Sequence, residues 1–280
     1  MALFTKNLLL RVLTALVGAP LIIFLALWEK AWGWKALILL ATILALIEYG
    51  QMAFKKEEFV PKYVTLVVGS LFAAFLLSVF KFQPYLLLFA PWAVVMLLIS
   101  LVLMPGDIKE SGINAGKGLM GVFYIAQLAA FIGLMKDLPH GGRWIIFTLT
   151  IVWLNDTGAY FVGKSMGKHK FSPVVSPNKT WEGAIGGTFA SCLAGVGATF
   201  YVPGLTIPVA IILAVFVGTF GQLGDLAESL LKRSFGVKDS GNLLPGHGGI
   251  LDRIDALLFA FPIMFGYLYI AAYRSLTSLT

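Results

Sequence analysis

The chain has 280 residues, of which 59% are hydrophobic and only 12% charged, and its net charge is +7. Ordinary soluble domains are about 45–50% apolar and about 25% charged, so this chain cannot cover its own surface with polar groups and lipid must solvate much of it. One or two ordinary soluble domains are excluded. Without a polar basic domain, the positive charge points to anionic headgroups and an anionic substrate and away from nucleic acid.

Backbone amides in hydrocarbon must be satisfied internally, which leaves helices or a closed barrel. The apolar runs are long and do not alternate, so the fold class is all-α, a polytopic transmembrane helical bundle. A hydrocarbon core about 30 Å thick needs roughly 20 apolar residues per helix. By that measure the sequence predicts about nine spans, near 7–28, 32–54, 62–80, 84–104, 117–136, 143–163, 182–202, 206–231 and 254–273. Lys6 and Arg11 before the first run mimic a signal peptide, but the run is long enough to span and is read as a retained helix. Trp28, Trp32, Trp34, Trp144 and Tyr201 fall near predicted ends, where an aromatic belt would place them. Lone Cys192 lies in an apolar run and allows no intrachain disulfide.

With nine spans, fifteen of the 21 Lys and Arg residues share the face of the N-terminus and six lie on the other. The positive-inside rule then makes the N-terminus and the long polar loops 164–181 and 232–253 cytoplasmic. No soluble domain or organelle-targeting segment is evident, which favours a multi-pass protein of a bacterial inner (plasma) membrane with its site facing the cytoplasm. Residues 1–140 read as a scaffold of N-terminal helices, and 141–280 as the catalytic helices. Before residue 105 most charges lie between spans, with Glu48 the main exception. After residue 150, Asp156, Glu182, Asp225, Glu228 and Asp255 sit within or at the edge of apolar runs. Carboxylates at membrane depth cost several kcal/mol unless paired, hydrated or metal-bound, so a cation site is their natural common explanation.

Three stretches carry chemistry. In the first, Asn155, Asp156 and Tyr160 are polar groups on one predicted helix, with 156 and 160 on one face. Gly158 to Ser165 matches the P-loop pattern, but that motif needs a strand before it and a glycine-rich turn, whereas these residues read as the end of a membrane helix. The match is by chance. In the second stretch, Ser176-Pro-Asn-Lys179-Thr180-Trp-Glu182-Gly183 follows a lysine-rich run. Ser176 and Thr180 can donate to phosphate oxygens, Thr180 or Asn178 can cap the helix that opens at Trp181, and a helix start is itself an anion site. The blander reading is a solvated basic loop against lipid headgroups. Gly183 and Gly187 read as helix packing.

The third stretch is the most informative. Asp225, Glu228 and Lys232 share a helix face with Ser229 beside them, and Asp252 and Asp255 share another at the start of the last span. Carboxylate pairs from two helices can converge on magnesium, which prefers one or two carboxylates with water and substrate phosphate. Metal ligands are expected at Asp225 and Asp252, with Asp239 and Asp255 close behind, while Glu228 either orients a ligand or pairs with Lys232. Lys179, Lys232, Arg233, Lys238 and Arg253 can neutralise phosphate, the arginines bidentately. The turn Pro245-Gly246-His247-Gly248-Gly249 exposes amides that can contact phosphate, and His247 is either a proton shuttle, a phosphate donor or structural.

The run Ser229-x-x-Lys232-Arg233, Lys238-Asp239 and Pro245-Gly246-His247-Gly248-Gly249-x-x-Asp252-Arg253-x-Asp255 resembles the signature of the phosphatidate cytidylyltransferase (CDP-diacylglycerol synthase) family. Ser176 through Gly183 and Asp156-x-x-Ala-Tyr160 are similar to further family features. The resemblance implies transfer of CMP from CTP to phosphatidic acid, giving CDP-diacylglycerol and pyrophosphate. It also implies a magnesium ion near paired acidic residues, and a homodimer; a second, monovalent cation is left open. The expected partners are CTP, phosphatidic acid and membrane lipids. Two related chemistries compete: a CTP-dependent lipid kinase, and a cytidylyltransferase for another lipid phosphate. A cation-coupled transporter is the rival of a different class, and it predicts carboxylates spread through the bundle, not gathered after residue 150.

Overall fold

The computed structural model describes residues 16–78, 94–95, 98–99, 102, 108–243 and 248–277. In chain order its elements are α1 (Leu16–Leu27), α2 (Ala31–Ala53), α3 (Phe59–Ser78), α4 (Ile108–Met120), a π-helical turn (Gly121–Gln127) and α5 (Leu128–Leu134). Helix α6 (Gly141–Met166), strands β1 (Lys170–Ser172) and β2 (Ser176–Thr180), and helices α7 (Trp181–Ala198), α8 (Ile207–Ser234) and α9 (Leu251–Thr277) follow. Among the described residues six helices are long and apolar enough to cross a membrane: Ala31–Ala53, Phe59–Ser78, Glu110–Asp137, Gly141–Met166, Ile207–Ser234 and Leu251–Ala271. They coincide with six of the expected spans. The span expected at 182–202 is helix α7, while 84–104 and the first part of 7–28 lie largely outside the described residues.

The chain forms two compact units. One comprises Met1–Pro20, Trp32–Leu134 and Phe235–Arg253, and the other Leu21–Ala31, Met135–Ser234 and Ile254–Thr280. Neither unit is a continuous half of the chain, because the polar segment after α8 packs with the early helices.

In the first unit α2 buries a face of Trp34, Ile38, Ala45, Leu46 and Tyr49, whose three- and four-residue spacing is that of a helix stripe. The Trp34 indole donates to the Ile132 carbonyl at 2.9 Å, and the Tyr49 hydroxyl to the Lys117 carbonyl at 2.7 Å. That second bond diverts a backbone acceptor one turn before the helix widens at Gly121, and side-chain insertion of this kind is a recognised cause of local helix irregularity. A Cβ at Gly121 would lie 2.8 Å from the Tyr49 ring, so glycine lets the helices close. At the polar end, burial pushes the Glu58 carboxyl up, but the Lys55 amide and the Lys117 ammonium outweigh it and hold it below the usual range.

In the second unit α6, α7 and α8 meet through small residues. A Cβ at Gly183 would stand 2.9 Å from the Ala159 carbonyl, and one at Gly187 2.7 Å from that of Asn155, so the packing reading of this glycine pair holds. Trp144 packs against Tyr267 with ring centroids 6.0 Å apart. The aromatic belt therefore needs correction: Trp34 and Trp144 are core residues at 2% and 7% exposure, because each finds a protein partner, whereas Trp32 is exposed. Residues 164–181, expected as a loop, contain the end of α6 and an antiparallel hairpin in which Lys170 faces Thr180 and Ser172 faces Ser176.

Candidate active site

Each unit organises its own set of the expected residues. In the second, α6 stays helical through Gly158 to Ser165, so the P-loop pattern has no phosphate-cradling turn. The hairpin then returns the chain to α7. Thr180 sits in extended backbone at the helix start and its hydroxyl accepts from the Gly183 amide at 3.1 Å, which makes it the cap and leaves its own proton for another acceptor. Glu182 in the first turn accepts from the Lys168 and His169 amides at 3.1 and 3.2 Å and ties the hairpin to the helix.

Between these elements lies a cleft of about 600 Å³, within the size range of small-molecule sites. Small residues, Ala159, Gly163, Gly183 and Ala184, line part of it, and its polar groups are Asn155, Asp156, Tyr160, Lys164, Ser176, Asn178, Lys179, Thr180, Gln222 and Asp225. Small side chains in the lining leave volume open. Lys179 from β2 and Asp225 from α8 meet there, with Nζ 2.6 Å from Oδ2. The Ser229 hydroxyl reaches Oδ1 of Asp225 at 3.4 Å, a weak contact. Gln222 had not been singled out from the sequence. Its amide donates to Asn155 Oδ1 at 2.8 Å and to the Ala184 carbonyl at 3.1 Å, while Asn155 donates to the Ser191 hydroxyl at 2.9 Å. This chain of amides crosses three apolar helices beside the cleft. The signal for it was a glutamine inside an apolar run, one turn before Asp225.

One turn beyond Asp225, Glu228 is fully buried and forms an ion pair with Lys232. Of the two roles expected for Glu228, the structure realises the pairing. Asp255 is buried within electrostatic reach of Asp225, Glu228 and Lys232. Gly224 makes the approach possible, because a Cβ there would stand 2.6 Å from the Asp255 carbonyl. Arg233 is exposed in the last turn of α8.

The first unit holds the rest. Lys238 and Asp239 are exposed, and Ser240 beside them is buried. Asp252, in the first turn of α9, accepts from the Ser240 amide at 3.1 Å and the Gly249 amide at 3.0 Å. Gly249 therefore directs its amide at a carboxylate in this structure, and a Cβ there would run into the Ser240 hydroxyl. Gly248 has φ of 77°, a left-handed conformation that suits glycine. Arg253 is exposed, and Pro245, Gly246 and His247 lie outside the described residues. Among the described residues no three His, Cys, Asp or Glu side chains converge as a closed metal cage. Glu48 of α2 was visible only as a lone acid in an apolar run; the structure gives it three hydrogen bonds from the segment that carries Asp252.

Residues 9–271 match the model of the Cytidylyltransferase family. A protein of Staphylococcus aureus (strain COL) named phosphatidate cytidylyltransferase is 39% identical over 264 residues, covering 91% of this chain and 96% of its own length. Proteins of the same name from Staphylococcus haemolyticus and Staphylococcus epidermidis are 45% and 46% identical over 157 residues, 56% of this chain and 60% of theirs.

Proposed function

This chain belongs to the cytidylyltransferase family, and on that premise we propose that it transfers CMP from CTP to phosphatidic acid, forming CDP-diacylglycerol and pyrophosphate. A phosphate oxygen of the lipid attacks the α-phosphorus of CTP, a new P–O bond forms, and the bond to the β-phosphate oxygen breaks with pyrophosphate as leaving group. Both reactants are polyanions, so their repulsion must be screened before they meet. The observation that carries the reading is the cleft in which Lys179 and Asp225 face each other. Lys179 offers a positive charge to phosphate, and the Ser176 and Thr180 hydroxyls offer neutral donors beside it. The buried Glu228–Lys232 pair lies on α8 one turn beyond Asp225.

Magnesium fits this donor set. It takes one or two carboxylates with water and substrate oxygens, so a closed protein cage is not required. Asp225, with Asp255 nearby in the same unit, would hold it; Asp252 and Asp239, in the first unit, are candidate ligands on the sequence pattern and the family resemblance. When bound, the ion would neutralise phosphate charge and assist pyrophosphate departure. A bacterial inner-membrane location, a cytoplasmic site and a homodimer complete the proposal, supported by the lysine distribution and the family resemblance. Lys168→Cys in a Cys192→Ala background should react with an impermeant reagent only from the cytoplasmic side, and light scattering in detergent should return twice the chain mass.

The decisive assay uses the purified chain with phosphatidic acid, CTP and magnesium. Pyrophosphate should appear in step with lipid carrying label from the cytosine base. Lipid labelled only from the γ-phosphate of CTP would make the protein a lipid kinase and overturn the reading.

A further inference from the structure

The carboxylate of Glu48 is 1% exposed, on a helix that the sequence assigns to the scaffold. Oε1 accepts from the Ile250 amide at 2.9 Å, and Oε2 from the Leu251 amide at 2.9 Å and the Ser240 hydroxyl at 3.2 Å. The first two donors are the amide that immediately precedes α9 and the first amide of α9, neither of which has an acceptor within the helix. The third is a relay: Ser240 Oγ also accepts from the Asp252 amide at 3.3 Å, and the Ser240 amide donates to the Asp252 carboxylate. Both oxygens of Glu48 thus act on the 240–252 segment, directly at the helix start and through Ser240 at Asp252. The glycines around it agree. A Cβ at Gly241 would stand 2.7 Å from Glu48 Oε1, and one at Gly249 2.6 Å from Oε2. Two glycines closing on one acidic group, from a segment almost 200 residues away in sequence, describe a socket shaped around a carboxylate.

We propose that Glu48 is a positioning residue for cytidylyl transfer: it locks the start of α9 and, through Ser240, fixes the direction in which Asp252 presents its carboxylate. The inference rests on the reading that Asp252 belongs to the reaction site. Glutamate is required in place of glutamine because every described neighbour is a donor. An amide would turn an NH2 group toward either Ile250 or Leu251, replacing an acceptor by a donor and leaving a buried N–H without a partner. Aspartate is one methylene shorter and cannot span both amides and the hydroxyl together.

The test compares Glu48→Gln and Ser240→Ala with the unmodified full chain in detergent. Two readouts are used: hydrogen exchange at residues 249–252 without substrate or metal, and steady-state kinetics with phosphatidic acid and CTP. Glu48→Gln should speed exchange at Ile250 and Leu251 at least tenfold while far-ultraviolet dichroism is retained. It should lower kcat about 10- to 100-fold, the scale on which outer residues that orient reacting groups act, with KM for CTP moving less than threefold. Ser240→Ala removes only the relay and should lower kcat about three- to tenfold in the same pattern. Should Glu48→Gln fail to fold, Ser240→Ala decides alone. Unchanged kcat in the folded variant, or unchanged exchange at 249–252, overturns the positioning role while the cytidylyltransferase reading stands. If the unmodified chain itself makes no labelled lipid, that reading fails first, and the exchange result then reports only on the clamp.

Discussion

Asp225 and Glu48 are both carboxylates in apolar helices, and the structure treats them in opposite ways. Asp225 keeps 37% of its side chain exposed and meets an ammonium across a cleft. Glu48 is sealed, and its oxygens are taken by backbone amides and one hydroxyl. An ion pair beside open volume is exchangeable, since another cation can relieve the carboxylate and an anion can take the ammonium. A carboxylate held by helix-terminal amides is not, because releasing it leaves two amides at the helix start without an acceptor. The same chemical group thus stands at an open, exchangeable ion pair in one unit and as a fixture in the other. Exposure and partner type separate the two roles better than charge or depth in a span does.

The contrast is easiest to break at Asp225. Asp225→Asn keeps the shape of the side chain, removes the charge and leaves Lys179 without its counterion. CDP-lipid formation should fall by at least about 100-fold, the loss typical when one preorganised charge-stabilising group is removed. The folded fraction, read by size exclusion in detergent, should stay near that of the unmodified chain. Turnover within threefold of normal would take Asp225 out of the site. Lys179→Met is the milder probe from the other side of the pair. Its expected effect is roughly tenfold, seen mainly as a higher KM for CTP, because an interaction made equally in ground and transition states affects binding more than kcat. Lys179→Arg should recover part of the loss. An unchanged KM would show that the ammonium serves only to hold Asp225.

How much of this could be read from the sequence follows from the range of each interaction. The apolar runs and the clustering of Asp156, Asp225, Glu228 and Asp255 are local patterns, and helices α6, α8 and α9 carry those residues. The Glu228–Lys232 pair was legible because both partners lie on one helix face, four residues apart. The hairpin was not, since strands of three and five residues are too short to show alternation and Pro173, Pro177 and the lysines read as loop. Trp34 and Trp144 were placed by their positions at span ends, yet a tryptophan there is equally at home facing inward once its indole finds a carbonyl or another ring. The Glu48 socket joins residues 192 positions apart, and no spacing rule within one sequence reaches that far.

The smallest effect sharpens the contrast at its edge, at Thr180, which belongs both to the cleft wall and to the frame beneath it. As a cap, its hydroxyl oxygen satisfies the Gly183 amide, one of the donors that the opening turn of α7 cannot bond internally. Thr180→Ala removes that acceptor and should lower unfolding stability by about 1 kcal/mol, measured by denaturant titration in detergent. Thr180→Ser keeps the acceptor and should stay within a few tenths of a kcal/mol of the unmodified chain. Activity separates the two duties. If the hydroxyl proton also reaches a substrate phosphate, serine preserves turnover and alanine lowers it by more than the stability change explains. If Thr180 is frame alone, alanine loses stability while kcat measured well below the unfolding transition stays level. That second pattern would remove Thr180 from the proposed substrate contacts and leave the helix start as support for Lys179, Ser176 and Asp225.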